Sequence, residues 1–310
     1  MATVDIKLGY TCNNNCRHCV IADQREHALD MIGKEDLSTE EFKREILKSR
    51  KRGFTSIIFT GGEPTIRKDF LELLDYASFI GFRVNIQTNG RMLYYPEFAE
   101  KVAAYKPHLV IALHSHDPET HDSITRAKGS FDQTVKGLRN TIKHTQDITG
   151  KVVISKKNQH QLKKIAELFH DIGIRKAYYA FPHAQGNAWK YFNEIVPRYS
   201  EILEEINSTI EYCNSKGMHV EFEAFPYCTM PGKEMYIAEK HPRSYTELKQ
   251  VGSRQLDWDQ VRIAIKKKFP QCRKCIHDSI CEGPWEEYPQ VYGDDEFQPI
   301  TITTTLEQKP

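Results

Sequence analysis

The chain has 310 residues and carries 43 Lys and Arg against 42 Asp and Glu, a formal net charge of +1 with neutral histidines. That balance excludes attachment to nucleic acid or membrane surfaces by bulk charge, and with 39% hydrophobic and 27% charged residues disordered and collagen-like classes are excluded too. No apolar run approaches the roughly 18 residues of a membrane helix, and Met1 to Tyr10 has no export signal, so a cytoplasmic protein is expected, whose eight Cys are metal ligands or bystanders rather than disulfides.

The first predicted strand, Val4 to Leu8, runs into GYTCNNNCRHC, so Cys12, Cys16 and Cys19 converge in one loop at a strand's end. With His18 they satisfy the count for tetrahedral zinc, but structural zinc usually takes paired C-x2-4-C knuckles. Three thiolates on a four-iron cube leave one iron open to substrate or cofactor, and an incomplete ligand set signals chemistry. A helix over Ser38 to Lys51 follows, opened by the capping sequence Ser38-Thr39-Glu40-Glu41. The second strand, Ser56 to Phe59, leads straight into Thr60-Gly61-Gly62-Glu63-Pro64, where two glycines admit a close backbone approach and Pro64 fixes the turn. A carboxylate beside backbone acceptors suits an ammonium group.

Strands over Arg83 to Gln87, Leu109 to Leu113, Lys151 to Ile154 and Lys176 to Ala180 alternate with helices over Lys68 to Ile80, Pro96 to Tyr105, Phe131 to His144, Gln159 to Ile172 and Glu201 to Ser215. A further strand follows at His219 to Glu223. Each helix returns the chain for a parallel neighbour, which predicts an α/β fold, a partial (βα)6 TIM-like barrel over residues 1–224, with its sites at the strands' C-terminal ends. Thr88 and Asn89 end the third strand, where the plain reading is a turn. His114, His116 and His121 match no zinc spacing and are expected to be solvated loop residues. The segment Phe181 to Asn187 should border a substrate, and Cys213 should be a buried bystander at the barrel floor.

After Phe225 the alternation fails. The Lys run of Ala264 to Lys268 reads as a solvated helix face, and residues 225–310 form a small Cys-rich module too thin in core to stand without a metal. Cys272, Cys275 and Cys281 lie in PQCRKCIHDSIC, with Cys228 as the nearby fourth thiol. Spacing alone does not separate zinc from a fully ligated [4Fe–4S] cluster here.

C-x3-C-x2-C after the first strand with GGEP after the second resembles the radical S-adenosylmethionine superfamily, over roughly Asp5 to Pro182. The resemblance implies that Cys12, Cys16 and Cys19 hold a [4Fe–4S] cluster. Its open iron chelates S-adenosylmethionine, whose ammonium is held by Gly61, Gly62 and Glu63. Reductive cleavage then yields a 5′-deoxyadenosyl radical that abstracts a substrate hydrogen. At lower specificity, Thr88, Asn89, Ser115 and Arg126 resemble cofactor-binding positions, Ser115 and Arg126 on its ribose or carboxylate; a surface helix residue is the plain reading of Arg126. The tail is similar to the Twitch module, a shortened SPASM domain, which implies a second, auxiliary [4Fe–4S] cluster on Cys228, Cys272, Cys275 and Cys281.

The expected function is a radical oxidoreductase performing a net oxidation, cyclisation or bond formation on a peptide or small metabolite, supplied with electrons by a donor such as flavodoxin or ferredoxin. Redox-neutral epimerisation is one rival and a non-catalytic iron–sulfur or zinc protein another. Related peptide-modifying enzymes often carry a separate binding extension, whereas this barrel starts within ten residues, so the substrate class stays open. No catalytic side chain is assigned.

Overall fold

A computed structural model describes residues 2–240, 245–251 and 256–302. Seven strands follow one another in space as in sequence: β1 Thr3–Lys7, β2 Ser56–Thr60, β3 Arg83–Thr88, β4 His108–Ala112, β5 Ile148–Val153, β6 Lys176–Ala180 and β7 His219–Glu223. All neighbouring pairs among them are parallel. Helices α1 Gln24–Ile32, α2 Thr39–Lys51, α3 Phe70–Phe79, α4 Pro96–Ala104, α5 Pro118–Thr125, α6 Ser130–Thr141, α7 Leu162–Ile172, the single turns α8 Asn187–Lys190 and α9 Phe192–Ile195, and α10 Tyr199–Ser215 make the connections. The sheet is unclosed, the predicted partial barrel.

Strand alternation decides which residues face the interior. In β5, Ile148, Gly150 and Val152 are buried, and a Cβ on Gly150 would overlap the Phe169 ring of α7. That face packs on helices, so Lys151 points to the opposite, concave face. In β6 the Tyr179 hydroxyl donates to the Leu162 carbonyl of α7 at 2.9 Å, which turns Tyr178 to the concave side as well. Helix α2 starts as predicted: the Ser38 hydroxyl accepts from the Glu41 amide at 3.3 Å and the Glu41 carboxylate returns a bond to the Ser38 amide at 2.9 Å.

Two elements depart from the expectations. Segment 118–125, read as loop, is helix α5, with Pro118 at its first position and the Asp117 carboxylate accepting from the Thr120 amide at 3.1 Å. Beyond residue 225 the chain adds β8 Thr246–Lys249, parallel to β1, and β9 Leu256–Asp257, antiparallel to β8. The later segment is thus part sheet edge and part thiol-bearing cap, completed by α11 Trp258–Ala264 and α12 Glu287–Tyr292. Strand β8 reads Thr-Glu-Leu-Lys, polar enough to hide it, because its buried Glu247 is paired to Arg52. No helix among the described residues is long and apolar enough to cross a membrane.

Candidate active site

The Cys12–Cys19 loop leaves the C-terminal end of β1 and is bonded on every side. The Asp36 carboxylate accepts from the amides of Tyr10 (2.9 Å) and Thr11 (3.1 Å). The amides of Gly62 and Glu63 donate to the carbonyls of Gly9 (2.8 Å) and Thr11 (2.9 Å). Arg91 donates to the Asn13 carbonyl and to Asn14 Oδ1. Asn15 and Arg17 donate their amides to the Thr125 and Ile124 carbonyls at the end of α5, and Asn187 donates its amide to the Cys19 carbonyl and its side chain to the Cys16 carbonyl, both at 2.9 Å. Asn187 ends the segment expected to border a substrate and here braces the Cys loop, whereas Asp36 and Arg91 lie outside every candidate site segment. Asp36 and Arg91 belong to no motif, and only the spatial loop reveals them.

The two glycines have a different first use from the one expected. A Cβ on Gly61 would overlap the Gly9 carbonyl oxygen and one on Gly62 the Thr11 carbonyl oxygen, and Gly61 sits at φ +113°. They are required for the close approach of the GGEP turn to the Cys loop. Gly62→Ala is therefore expected to force the two loops apart, costing about 1–3 kcal/mol, and to lower the iron content of reconstituted protein while the far-UV circular dichroism persists. Unchanged iron would mean that the loop yields.

Glu63 is 3% exposed. Its Oε1 accepts from the Thr65 amide (3.0 Å), the Thr65 hydroxyl and the Thr88 hydroxyl (2.6 Å), and its Oε2 from the Asn89 amide (2.7 Å). The carboxylate thereby clamps the end of β3 to the GGEP turn. Burial raises its pKa against those four lowering bonds. Glu63, Thr88 and Asn89 thus form one cluster, and Asn89 reaches Asn13 of the Cys loop at 2.7 Å. Ser115 is fully buried, bonded to Asp117 (2.9 Å) and Gln161 (2.7 Å). Arg126 ends α5 in the left-handed region (φ +55°) and donates to the Tyr191 hydroxyl at 3.0 Å.

The histidines correct an expectation. His114 and His121 are 4% and 1% exposed, not solvated: their rings stack at 5.7 Å, and His18 meets His114 edge-on at 4.4 Å. Helix α5, unrecognised in the sequence, turns His121 inward, where its Nδ1 accepts from the His114 amide at 3.1 Å. Burial lowers the His121 pKa to about 4. The folded protein thus keeps His121 neutral while the unfolded chain takes up a proton below about pH 6.5. Stability is full above that value and falls as pH drops toward 4, by up to about 1.4 kcal/mol per pH unit from this residue. Urea midpoints measured between pH 7 and 4.5 should fall less steeply in His121→Asn; equal slopes would refute the assignment.

At the other side, Cys228 lies in a helical turn four residues beyond Ala224, itself at φ +64° just after β7. It lines one cavity with Cys272, Cys275 and Cys281, closed by Pro226, Phe269 and Phe297. Burial, then the neighbouring thiols Cys281, Cys275 and Cys272, push the Cys228 thiol up to about 12; burial pushes Cys12 up to about 11 and raises Cys16 further. Such thiols stay protonated unless a strongly positive group binds them, which fits the donor chemistry of an iron–sulfur cube at each place. Among the described residues no three His, Cys, Asp or Glu side chains are grouped closely enough for a single metal ion, so what the fold supplies is a thiol-lined cavity. Cys213 is fully buried in α10.

A belt of ion pairs runs from Lys151 and Glu223 to Glu282, next in chain to Cys281. Lys151 of β5 faces Glu223 of β7 at 3.4 Å. Lys266, expected in a solvated run, is 2% exposed between Glu282 (3.3 Å) and Glu239 (3.9 Å), 4.3 Å above the Trp285 ring. Helix α11 ends at Ala264, which frees the chain to turn Lys266 inward.

Among curated proteins, the chain is 32% identical over 171 residues to the AdoMet-dependent heme synthase of Methanosarcina barkeri, covering 55% of this chain and 47% of that one. It is 29% identical over 246 residues to the Fe-coproporphyrin III synthase of the same organism, covering 76% and 59%. The chain thus spans about half the length of the curated relatives it matches. Among solved structures, Streptococcus suis SuiB bound to S-adenosylmethionine superposes with a TM-score of 0.67 at 15% identity, over 97% of this chain and 76% of that one; bound to its precursor peptide SuiA it gives 0.64 at 16% identity, over 91% and 71%. Those likenesses share the fold. The Radical SAM superfamily profile matches residues 6–169, from β1 through α7, and the chain with its C-x3-C-x2-C loop and GGEP turn belongs to the radical SAM superfamily.

Proposed function

We propose that the chain is a radical oxidoreductase with two [4Fe–4S] clusters, the first on Cys12, Cys16 and Cys19 in residues 1–224 and the second on Cys228, Cys272, Cys275 and Cys281 in residues 225–310. The observation that carries this reading is the grouping of the thiols in two sets, one of three in a loop that leaves β1 and is bonded to GGEP, and one of four round a single cavity, with Cys228 just beyond β7. With S-adenosylmethionine on its open iron, the first cluster supplies one-electron cleavage to methionine and a 5′-deoxyadenosyl radical that takes a hydrogen atom from substrate. The chain's own residues position the parts. The carbonyls of Gly61 and Gly62 accept no hydrogen bond among the described residues and are offered to the cofactor's ammonium, with the Glu63 charge beside them. Thr88 and Asn89 fix that turn, and Ser115 and Arg126 border the remainder of the cofactor site.

A closed four-thiol shell leaves no iron for substrate, so the second site suits electron transfer, and net oxidation, cyclisation or bond formation follows on a peptide or small molecule. SuiB carries a precursor peptide and the curated relatives are named for making heme and Fe-coproporphyrin III, so both classes of substrate are represented. A donor such as flavodoxin or ferredoxin would supply the first electron. Anaerobic reconstitution tests the reading: about eight irons per chain and 5′-deoxyadenosine formed from S-adenosylmethionine are expected. Four irons with one zinc would remove the electron-transfer role of the second site.

A further inference from the structure

The concave face carries two ion pairs of unlike character. Near the first Cys loop, Lys7 donates to Thr60 at 3.0 Å, Thr60 donates to Asp5 at 2.5 Å, and Lys7 lies 3.6 Å from Asp5. That triad is closed on itself. The Lys151–Glu223 pair is open: at 3.4 Å it is a long contact, the two side chains are 24% and 29% exposed, and an ammonium with three donors facing a carboxylate keeps valences on both partners. Tyr178 flanks it, its ring 5.5 Å from the Lys151 ammonium.

The groups behind this pair hold its charges in place. Glu239 accepts from the Ala224 amide at 2.7 Å, next in chain to Glu223, and Arg262 bridges Glu239 and Glu282. Burial works against the Glu223 charge, yet Lys151, Arg262 and Lys266 outweigh it and hold its carboxyl below the ordinary range. Lys151, Arg262 and Lys266 each face a carboxylate, so this belt offers a polyanion no unpaired cation. Behind it, Arg262 Nε, Trp285 Nε1 and Glu239 Oε2 are buried out of a ligand's reach, which leaves the part-exposed Lys151–Glu223 pair as the part of the belt that can meet one.

We propose that Lys151 and Glu223 form the docking pair for the substrate, selecting one that is neutral where it meets them and presents an acceptor beside a donor, as an amide or an amino-acid zwitterion does, and rejecting polycarboxylates. This rests on the proposed radical function only in placing the substrate on the concave face. Lys151 takes the carbonyl or carboxylate and Glu223 the N–H or ammonium, so that a substrate is fixed at two points. A tetracarboxylate would meet Glu223 as a like charge and desolvate it without exchange.

The test is equilibrium dialysis of reconstituted holoenzyme, with S-adenosylmethionine present, against two probes. One is a pool of N-acetylated, C-amidated hexapeptides with uncharged side chains; the other is coproporphyrin III, a tetracarboxylate. Retention of members of the pool is expected, weakened about tenfold in Glu223→Gln and in Lys151→Gln, the loss of one charge-assisted hydrogen bond in each. Coproporphyrin III should bind the wild type at least about tenfold more weakly than the retained peptides and gain in Glu223→Gln. Stronger retention of coproporphyrin III than of any peptide, retention of no peptide, or peptide binding unmoved by both substitutions overturns the proposal. Should Lys151→Gln unfold, the isosteric Glu223→Gln carries the test. The same preparation assayed for 5′-deoxyadenosine separates the two readings: absent cleavage sinks the radical function, while intact cleavage with the wrong probe retained sinks the docking pair alone.

Discussion

Alanine at Cys12, Cys16 or Cys19 is expected to reduce 5′-deoxyadenosine formation to the uncatalysed background, with dithionite as reductant and S-adenosylmethionine in excess. A cube with one iron kept open has three protein thiolates and no spare, so each loss leaves two ligands for four irons. No neighbour replaces the missing thiolate. His18 is next in chain to Cys19, but its ring is held edge-on against that of His114 at 4.4 Å. The loop itself should survive the substitutions, since its shape is set by Asp36, Arg91, Asn187 and the GGEP amides rather than by sulfur. Retained secondary structure with lost iron and lost cleavage is therefore the expected combination. Undiminished cleavage in all three variants would remove the chemistry from this loop.

Local pattern carried most of the barrel because its signals are local: apolar runs of strand length, helices between them, and a capping box at Ser38. Predicted strand starts at Ser56, Arg83, Lys176 and His219 coincide with those of β2, β3, β6 and β7, and only β5 begins three residues earlier than expected, since Ile148-Thr149-Gly150 is interrupted by glycine. What escaped is set by distant partners. Strand β8 finds β1 across more than two hundred residues of chain, and its glutamate is read as surface until Arg52 is placed against it. The inward turn of Lys266 depends likewise on Glu239 and Glu282. In the site, the Cys and GGEP motifs were legible because chemistry fixes residue type and spacing together. The brace that holds them was not, because Asp36 and Arg91 act through hydrogen bonds to backbone, which leave no spacing rule. The glycines illustrate the limit: the turn was evident, but that Gly61 and Gly62 make room for the carbonyls of Gly9 and Thr11 emerges only when two loops remote in sequence are seen in contact.

Cys228→Ala and Cys213→Ala should separate cleanly. Cys228 shares a cavity with Cys272, Cys275 and Cys281, so its loss should lower iron from about eight to about four per chain. Cys213 is fully buried on α10, the helix that precedes β7, with its carbonyl accepting from the Met218 amide at 2.9 Å. It lies at the opposite end of the barrel from the thiol sites, and burial alone pushes its thiol up to about 12, the condition of an inert core residue. Alanine there should cost about 1–2 kcal/mol of stability and leave iron, cleavage and product unchanged. The Cys228 variant then reports what the second site does. If that site accepts an electron after hydrogen abstraction, dithionite-driven cleavage persists while product is lost. If it relays the first electron, cleavage survives with dithionite and fails with flavodoxin or ferredoxin. A Cys213→Ala protein that keeps all its iron and its cleavage but makes no product would instead identify Cys213 as a hydrogen donor, and redox-neutral epimerisation would displace oxidation as the reaction.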